Sequence, residues 1–179
     1  MSAICVYCAS GRNVGQEYLD LAAELGTAIG AGGHTLVSGG GNVSMMGAVA
    51  DATRAAGGTT VGIIPRTLMQ REVADLDADE LVITDTMRER KKLMDDRADG
   101  FITLPGGIGT LEELFETWTG GFLGMHTKPV VLLDPVGFYT PLLSWLQGLV
   151  APGFVAQSSL DRLVVTDSVE GALRHATDR

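Results

Sequence analysis

The sequence has few basic residues and few cysteines, and it contains no long apolar run. Its 13 Lys and Arg are outnumbered by 22 Asp and Glu, giving a net charge of −9. This charge argues against a nucleic acid polymer as partner, because binding to a phosphate backbone depends on clustered cations. No stretch of about 18 apolar residues is present, so we expect no membrane-spanning helix. No basic segment precedes the first apolar run, so we expect no signal peptide and a cytoplasmic location.

The two cysteines, Cys5 and Cys8, have the C-x-x-C spacing that also occurs in redox proteins. A redox motif needs its first cysteine exposed where a loop meets a helix. Both cysteines instead lie in the apolar run 3–8, which is typical of a buried strand, so we predict two core thiols in a cytosolic protein. The three histidines, His34, His126 and His175, lack the spacing of metal ligands, and we expect no metal site.

Short β-branched runs alternate with longer segments of helical periodicity. The predicted strands cover residues 3–8, 35–37, 60–64, 80–84, 101–104, 130–133 and 163–165. The predicted helices cover residues 18–31, 44–56, 86–98, 111–119, 138–149 and 169–176. This alternation demands parallel pairing, and 179 residues suit one domain better than two. We therefore predict a single Rossmann-like α/β domain over residues 1–179, with a parallel sheet of six to seven strands and helices on both faces.

Two glycine-rich loops follow predicted strands, where ligands of such sheets bind. Residues 38–42 follow the second strand and residues 105–110 follow the fifth, and each loop leads into a helix whose first N–H groups can hold an anion. Neither loop is a Walker A motif or a clean dinucleotide fingerprint, which favours a single phosphate group. The alternative is that the glycines only turn the chain, which we accept for Gly32-Gly33 and Gly57-Gly58 at the opposite edge.

Two charged residues near predicted helix starts each have two interpretations. Arg90 lies where the helix dipole opposes a cation, so it either binds a ligand or, as part of the charge run 88–92, forms an ion pair or lies on a solvated face. Glu113 is either catalytic or the last residue of a capping box that begins at Thr110. Periodicity leaves both questions open.

These segments together resemble the LONELY GUY (LOG) family. The resemblance rests on three elements in order along nearly the whole chain: Ser38-Gly-Gly-Gly41 with Met46-Gly47, then Met87-x-Glu-Arg90-Lys91, then Pro-Gly-Gly-x-Gly-Thr-x-x-Glu over residues 105–113. The family comprises cytokinin riboside 5'-monophosphate phosphoribohydrolases, long labelled as possible lysine decarboxylases. This chain departs from the family pattern at Ser44, where glycine is common, and at Arg88, where histidine is common.

The resemblance implies a homodimeric hydrolase that uses no cofactor and no metal. It would cleave the N-glycosidic bond of N6-substituted adenosine 5'-monophosphates, or of AMP, to free base and ribose 5-phosphate. Arg90 and Glu113 match the family's catalytic residues. The implied substrate-binding residues are Ser10, Gly39, Gly40, Gly41, Met87, Lys91, Gly106, Gly107, Gly109 and Thr110. The two departures bear on the preference for base and nucleotide and leave the reaction class as it is.

Two further interpretations belong to other classes. A non-catalytic carrier of nucleotide or molybdenum cofactor shares this glycine-loop fold, and it would need the phosphate loops but no carboxylate at the anomeric carbon. A pyridoxal-dependent decarboxylase would need a Schiff-base lysine, and the lysines are Lys91, Lys92 and Lys128. Lys128 precedes Pro129 at a strand start, which is the wrong edge of the sheet for a ligand site. The position of Lys91 alone does not exclude it as a Schiff-base lysine.

Overall fold

A computed structural model describes residues 1–178 as one seven-stranded sheet with helices around it. The strands are β1 Ala3–Tyr7, β2 Thr35–Ser38, β3 Thr59–Pro65, β4 Glu80–Thr84, β5 Gly100–Thr103, β6 Val130–Leu133 and β7 Leu163–Thr166. The helices are α1 Gln16–Ala31, α2 Ser44–Ala55, α3 Met87–Arg97, α4 Ile108–Phe122, α5 Thr140–Gly148, α6 Gln157–Leu160 and α7 Val169–Thr177, with a short 3-10 helix at Arg66–Leu68. Within residues 1–178, no helix is long and apolar enough to cross a membrane.

All strand pairs are parallel, in the order β4-β3-β2-β1-β5-β6-β7, which confirms the predicted α/β class. The order runs outward in both directions from β1, which pairs with β2 on one side and β5 on the other. Such a reversal opens a crevice beyond the carboxyl ends of the two central strands. The residues that follow β1, β2 and β5 therefore meet at this crevice.

The core lies in two layers, one on each face of the sheet. Along β1, Ile4 and Val6 pack into one layer, while Cys5 and Tyr7 pack into the other, as the two-residue period of a strand requires. Both cysteines are free and buried, as predicted, and burial raises the pKa of both thiols. They stay protonated and contribute to packing.

Helices α1 and α2 cross in close contact on one face. A methyl group on Gly26 would lie 2.3 Å from the Val49 carbonyl oxygen, and one on Gly30 would lie 2.4 Å from the Thr53 carbonyl oxygen. Real contacts of this kind are never so short, so both positions require glycine. The close approach fixes α2 and, with it, the turn that joins β2 to α2.

The helix bounds differ from the predicted ones where glycine or an unusual cap is involved. Helix α4 begins at Ile108 instead of residue 111 and continues through Gly120 and Gly121 to Phe122, so the predicted end at residue 119 is wrong. Gly124, at φ +75°, makes the turn instead. The short helix α6 was not predicted, because four residues carry no measurable periodicity.

Ser44 opens α2 in a conformation that suits glycine. Its φ is +53°, in the left-handed region that costs a residue with a Cβ about 1 kcal/mol or more. Its hydroxyl is also buried without a hydrogen-bond partner among residues 1–178. This is the position where the LOG family commonly has glycine, so the departure places local strain at the start of α2.

Candidate active site

A cavity of about 600 Å³ lies at the crevice beside β1. Its walls come from the segment after β1, from Gly39 after β2, from residues 105–110 after β5 and from the inward faces of α3 and α4. Phe138, on the connection after β6, closes one side. This volume is in the range of pockets that bury a small-molecule ligand such as a mononucleotide.

The loop after β5 presents the first turn of α4 to the cavity. Gly107 is the N-cap residue and offers no side chain to bond the first N–H groups of the helix. A methyl group on Gly107 or Gly109 would meet no atom within 4 Å, although both residues line the cavity. Neither glycine has a positive φ, so neither the backbone nor the packing requires it. The open space in front of free helix N–H groups is the geometry of an anion site.

Replacing Gly109 with alanine should weaken substrate binding without destabilising the fold. The added methyl would project into the cavity at the helix N-terminus, and KM should rise at least about tenfold, the factor given by 1.4 kcal/mol. Alanine is the better helix former, so the free energy of unfolding should stay level or rise by up to about 1 kcal/mol.

The matched control is Gly148→Ala, another helical glycine with open space that lies outside the cavity wall. Steady-state kinetics and urea denaturation of both variants separate the two effects. An unchanged KM in Gly109→Ala would contradict a phosphate position at this turn.

Thr110 ties the glycine loop to the end of β1. Its hydroxyl donates a hydrogen bond to the carbonyl oxygen of Cys8 at 3.0 Å, and the side chain is 5% exposed. A methyl group on Gly106 would lie 2.1 Å from the Thr110 hydroxyl, so Gly106 is needed where the loop folds over this threonine. The alternative of a capping box from Thr110 to Glu113 is wrong, because Thr110 lies inside the helix and makes no cap.

Glu113 lies in the second turn of α4, with its side chain at the cavity. Burial raises its pKa to about 7, an effect that the charge of Arg90 opposes and the charges of Glu112 and Glu72 reinforce. A carboxyl group with a pKa near neutral pH is suited to accept a proton from water.

Arg90 is 4% exposed and donates to two backbone carbonyls, one in β3 and one directly after β2. Its Nε donates to the carbonyl of Ile63 at 3.2 Å and its Nη2 to the carbonyl of Gly39 at 3.1 Å. Nη2 also lies 3.3 Å from a carboxylate oxygen of Glu72. A solvated position for Arg90 is therefore wrong: its neighbour Arg88 is exposed, whereas Arg90 turns into the protein. The alternative of an ion pair is confirmed, with Glu72 as the partner.

The glycines after β2 leave space for the side chain of Arg90 and allow the chain to turn. A methyl group on Gly39 would lie 1.9 Å from Arg90 Nη2, so glycine leaves the space that the guanidinium occupies. Gly40, at φ +72°, turns the chain over the backbone of β3. Gly39 lines the cavity, but Gly40 and Gly41 lie behind its wall, so the geometry does not bring these two to a ligand.

The remaining predicted site residues divide between the cavity and its surroundings. Ser10 and Met87 line the cavity. Lys91 lies outside the wall, where its ammonium group pairs with Glu112 and with Glu116, the latter at 2.6 Å. Contact of these residues with substrate stays a prediction.

Phe138 and Glu72 are among the cavity residues that were not predicted from the sequence. Phe138 could have been found, because it belongs to the segment after β6, and Asp134 fixes it there by accepting hydrogen bonds from the N–H groups of Phe138 and Tyr139. Glu72 gave no signal, because it lies in the irregular segment between β3 and β4. Among residues 1–178, no cluster of three or more His, Cys, Asp or Glu side chains could hold a metal ion.

Comparison with known proteins gives close relatives. The sequence model of the family described as possible lysine decarboxylase matches residues 46–176. The chain is 57% identical over 171 residues to a cytokinin riboside 5'-monophosphate phosphoribohydrolase of Mycobacterium tuberculosis, covering 96% of this chain and 91% of that one. It is 46% identical over 156 residues to the LOG enzyme of the same name from Oryza sativa subsp. japonica, covering 87% and 64% of the two chains.

Among solved structures, a molybdenum cofactor binding protein from Rippkaea orientalis shares the fold. Its TM-score is 0.70 at 26% identity, with 97% of this chain and 93% of that chain covered. The sequence identity to this protein is lower than the identity to the phosphoribohydrolases. The long alignments at 46–57% identity therefore decide the family to which the chain belongs. The chain therefore belongs to the LOG family of cytokinin riboside 5'-monophosphate phosphoribohydrolases, the family also described as possible lysine decarboxylase.

Proposed function

We propose that this protein is a phosphoribohydrolase that cleaves the N-glycosidic bond of N6-substituted adenosine 5'-monophosphates, or of AMP. The products are the free base and ribose 5-phosphate. The observation that carries this proposal is Glu113, a carboxyl group with a pKa of about 7 in a nucleotide-sized cavity, one turn along α4 from the free N–H groups at the start of that helix. The identity to enzymes of this name supports the same reaction.

The geometry suits a hydrolysis in which charge separates between sugar and base. When the bond from base nitrogen to anomeric carbon breaks, its electron pair leaves with the base and the sugar becomes positive. The carboxylate of Glu113 stabilises the sugar and takes a proton from the water that attacks the anomeric carbon. The departing base takes up a proton from solvent water, and Glu113 returns the proton it accepted to solvent, so the net reaction adds one water molecule across the broken bond. A guanidinium group is a cation that does not serve as a proton donor in catalysis, so Arg90 acts through its charge and its hydrogen bonds.

The first turn of α4 would hold the 5'-phosphate. Its N–H groups and helix dipole compensate one phosphate without a basic surface, which fits a protein with a net charge of −9. Binding a phosphate remote from the reacting bond positions the sugar over Glu113 and lowers the barrier to reaction.

The proposal is tested by incubating the protein with N6-isopentenyl-AMP, with AMP and with the corresponding nucleosides, and following free base by chromatography. At least one nucleotide should give base and ribose 5-phosphate in equal amounts. The nucleosides should react with kcat/KM lower by about 10²-fold or more, because they lack the phosphate that positions the sugar. Tight nucleotide binding without release of base would instead support a carrier, the role that the Rippkaea orientalis likeness suggests.

A decarboxylase does not fit the positions of the lysines. Lys91 pairs with Glu112 and Glu116, Lys92 with Asp96 at 2.5 Å, and Lys128 with Asp95 at 3.1 Å. All three lysines of the chain lie within the described residues, and none lines the cavity. No amine is therefore placed to form a Schiff base there.

We also propose a cytoplasmic homodimer. The two free buried thiols suit a reducing compartment. Apolar side chains remain exposed, with Met87 43% and Ile108 88% exposed at the cavity and Phe122 44% exposed at the far end of α4, and a second copy would cover such a surface. Met94, by contrast, is buried in the core. Light scattering during size-exclusion chromatography measures the molecular mass in solution, which distinguishes a homodimer from a monomer.

A further inference from the structure

Glu72 is a cavity residue with no assigned role. It lies between the 3-10 helix and β4, and its side chain is 16% exposed. Its carboxylate lies 3.3 Å from Arg90 Nη2, and its side chain lines the cavity. The carboxylate that pairs with the buried guanidinium is therefore Glu72, whereas Glu113 acts on Arg90 only through its charge.

The backbone around Glu72 is fixed to the turn after β2. The N–H of Asn42 donates to the carbonyls of Glu72 and Val73, at 3.1 and 2.7 Å, and the N–H of Asp75 donates to the carbonyl of Gly40 at 2.9 Å. Asp75 in turn forms a largely buried ion pair with Arg54 at 2.7 Å. These contacts fix the backbone of Glu72 relative to Arg90, so the fold itself positions the two side chains to pair.

Arg90 lines the cavity, and its hydrogen bonds leave one of its nitrogens without a strong acceptor. A guanidinium has five N–H donors. Nε donates to Ile63, and Nη2 divides its two hydrogens between Gly39 and Glu72. Within residues 1–178, Nη1 contacts only the sulfur of Met87, a weak acceptor at 3.8 Å. Nη1 is thus the donor that remains for a ligand.

We propose that Glu72 is a positioning residue: it holds Arg90 so that Nη1 faces the substrate, and it keeps the guanidinium from closing an ion pair with Glu113. This inference rests on the proposed hydrolase function of the same cavity. With Glu72 in place, Arg90 is already neutralised, and the carboxylate of Glu113 stays free to act on sugar and water. Without it, the guanidinium of Arg90 is free to pair with the carboxylate of Glu113, on which its charge already acts.

Several groups act on Glu113 from the elements around it. Arg90 and Lys91 of α3 favour its charged form, whereas Glu112 of α4 and Glu72 of the segment between β3 and β4 oppose it. From β1 and its end, the neutral side chains Cys5, Tyr7 and Cys8 also face it, and burial keeps all three protonated. Removing the charge of Glu72 leaves Arg90 unopposed, so the pKa of Glu113 should fall from about 7.

The test compares Glu72→Gln, Glu72→Asp and the control Glu116→Gln in pH profiles of kcat and of kcat/KM. In Glu72→Gln, kcat should fall about 10- to 100-fold, the scale of a lost hydrogen bond to a charged group. The acidic limb of kcat/KM should move to lower pH by about one unit. Glu72→Asp restores the charge and should return the limb to its wild-type position. Glu116→Gln removes an exposed carboxylate that pairs with Lys91 and leaves Arg90 intact, so neither parameter should change.

The outcomes separate this inference from the proposed function. The substrate phosphate titrates near pH 6 in every variant, so only a difference between variants reports on Glu113. A Glu72→Gln variant with a wild-type pH profile and only a lower Tm would show an ordinary structural ion pair and overturn the inference. An inactive wild-type protein would overturn the proposed function instead.

Discussion

Glu113→Gln should lower kcat by about 10³-fold and, above pH 7, make the folded protein more stable. The loss of activity follows from removing the group that accepts the proton of water, since general bases contribute about 10²- to 10⁴-fold. In the wild type, kcat/KM should rise with pH through an apparent pKa of about 7, because the ionised carboxylate is the active form. The variant should lose this dependence.

The gain in stability follows from linkage between ionisation and folding. The pKa of Glu113 is raised from 4.5 in the unfolded chain to about 7 in the folded one, so the unfolded state loses its proton first. Stability is therefore full below pH 4.5 and decreases as the pH rises to about 7. Glutamine stays neutral and avoids this loss, which should stabilise the variant by about 1–3 kcal/mol at pH 8 and by nothing near pH 4.

Urea denaturation of both proteins at pH 8 and near pH 4.5, with chromatographic assays of base release, measures the two effects together. Glu112→Gln is the stability control, because its side chain is exposed and should leave the free energy of unfolding within about 0.5 kcal/mol. A Glu113→Gln variant as active as the wild type would remove Glu113 from the mechanism. An active-site carboxylate that destabilises its own protein is expected where catalysis needs a buried charge.

Arg90→Ala should destabilise the protein by about 3–5 kcal/mol and abolish hydrolysis. The substitution leaves the carboxylate of Glu72 and the carbonyls of Gly39 and Ile63 without their buried donor. It also removes the cation that opposes the raised pKa of Glu113, so any residual activity should shift to higher pH.

Arg88→Ala is the matched control, since Arg88 is an exposed arginine on the same helix and should change stability by no more than about 0.5 kcal/mol. Arg90→Lys keeps the charge but cannot bond two carbonyls and a carboxylate in one plane, so it should recover only part of the stability. Urea denaturation followed by circular dichroism gives all three values. A loss below 1 kcal/mol in Arg90→Ala would contradict the buried network described here.

The sequence allowed the sheet and its ligand-binding edge to be predicted, because buried parallel strands are short, continuous apolar runs separated by helical periods. The start of α4 was predicted too late, because Gly107 takes the cap position and supplies no side chain that marks a helix start. The same error made Thr110 and Glu113 look like a capping box, although Thr110 bonds to Cys8 across the sheet. Contacts between segments that are distant in the chain produce no periodic pattern in the sequence, so they could not be predicted from it.

The chemistry of the site was harder to predict than its position. The positions of Arg90 and Glu113 made both residues candidates, but only the resemblance to a known family favoured a catalytic role, because a charge on a helix has the same local pattern whether it is solvated or buried. The partner of Arg90, Glu72, lies in a segment without regular structure and was missed. Gly39 was expected to approach a phosphate, but its missing side chain makes room for Arg90. Neither relation exists until β2, β3 and α3 are packed together.

The strand order also determines when the site can form as the chain folds. Glu72 and Arg90 belong to the half of the sheet built from β1 to β4, whereas the glycine loop and Glu113 follow β5. The halves join where Ile4 pairs with Gly100, a contact between residues 96 positions apart in the chain. Closing a loop of that length has an entropic cost that local helix and strand formation does not have. Recovery of enzyme activity during refolding should therefore report the docking of the two halves, later than the gain of helical signal.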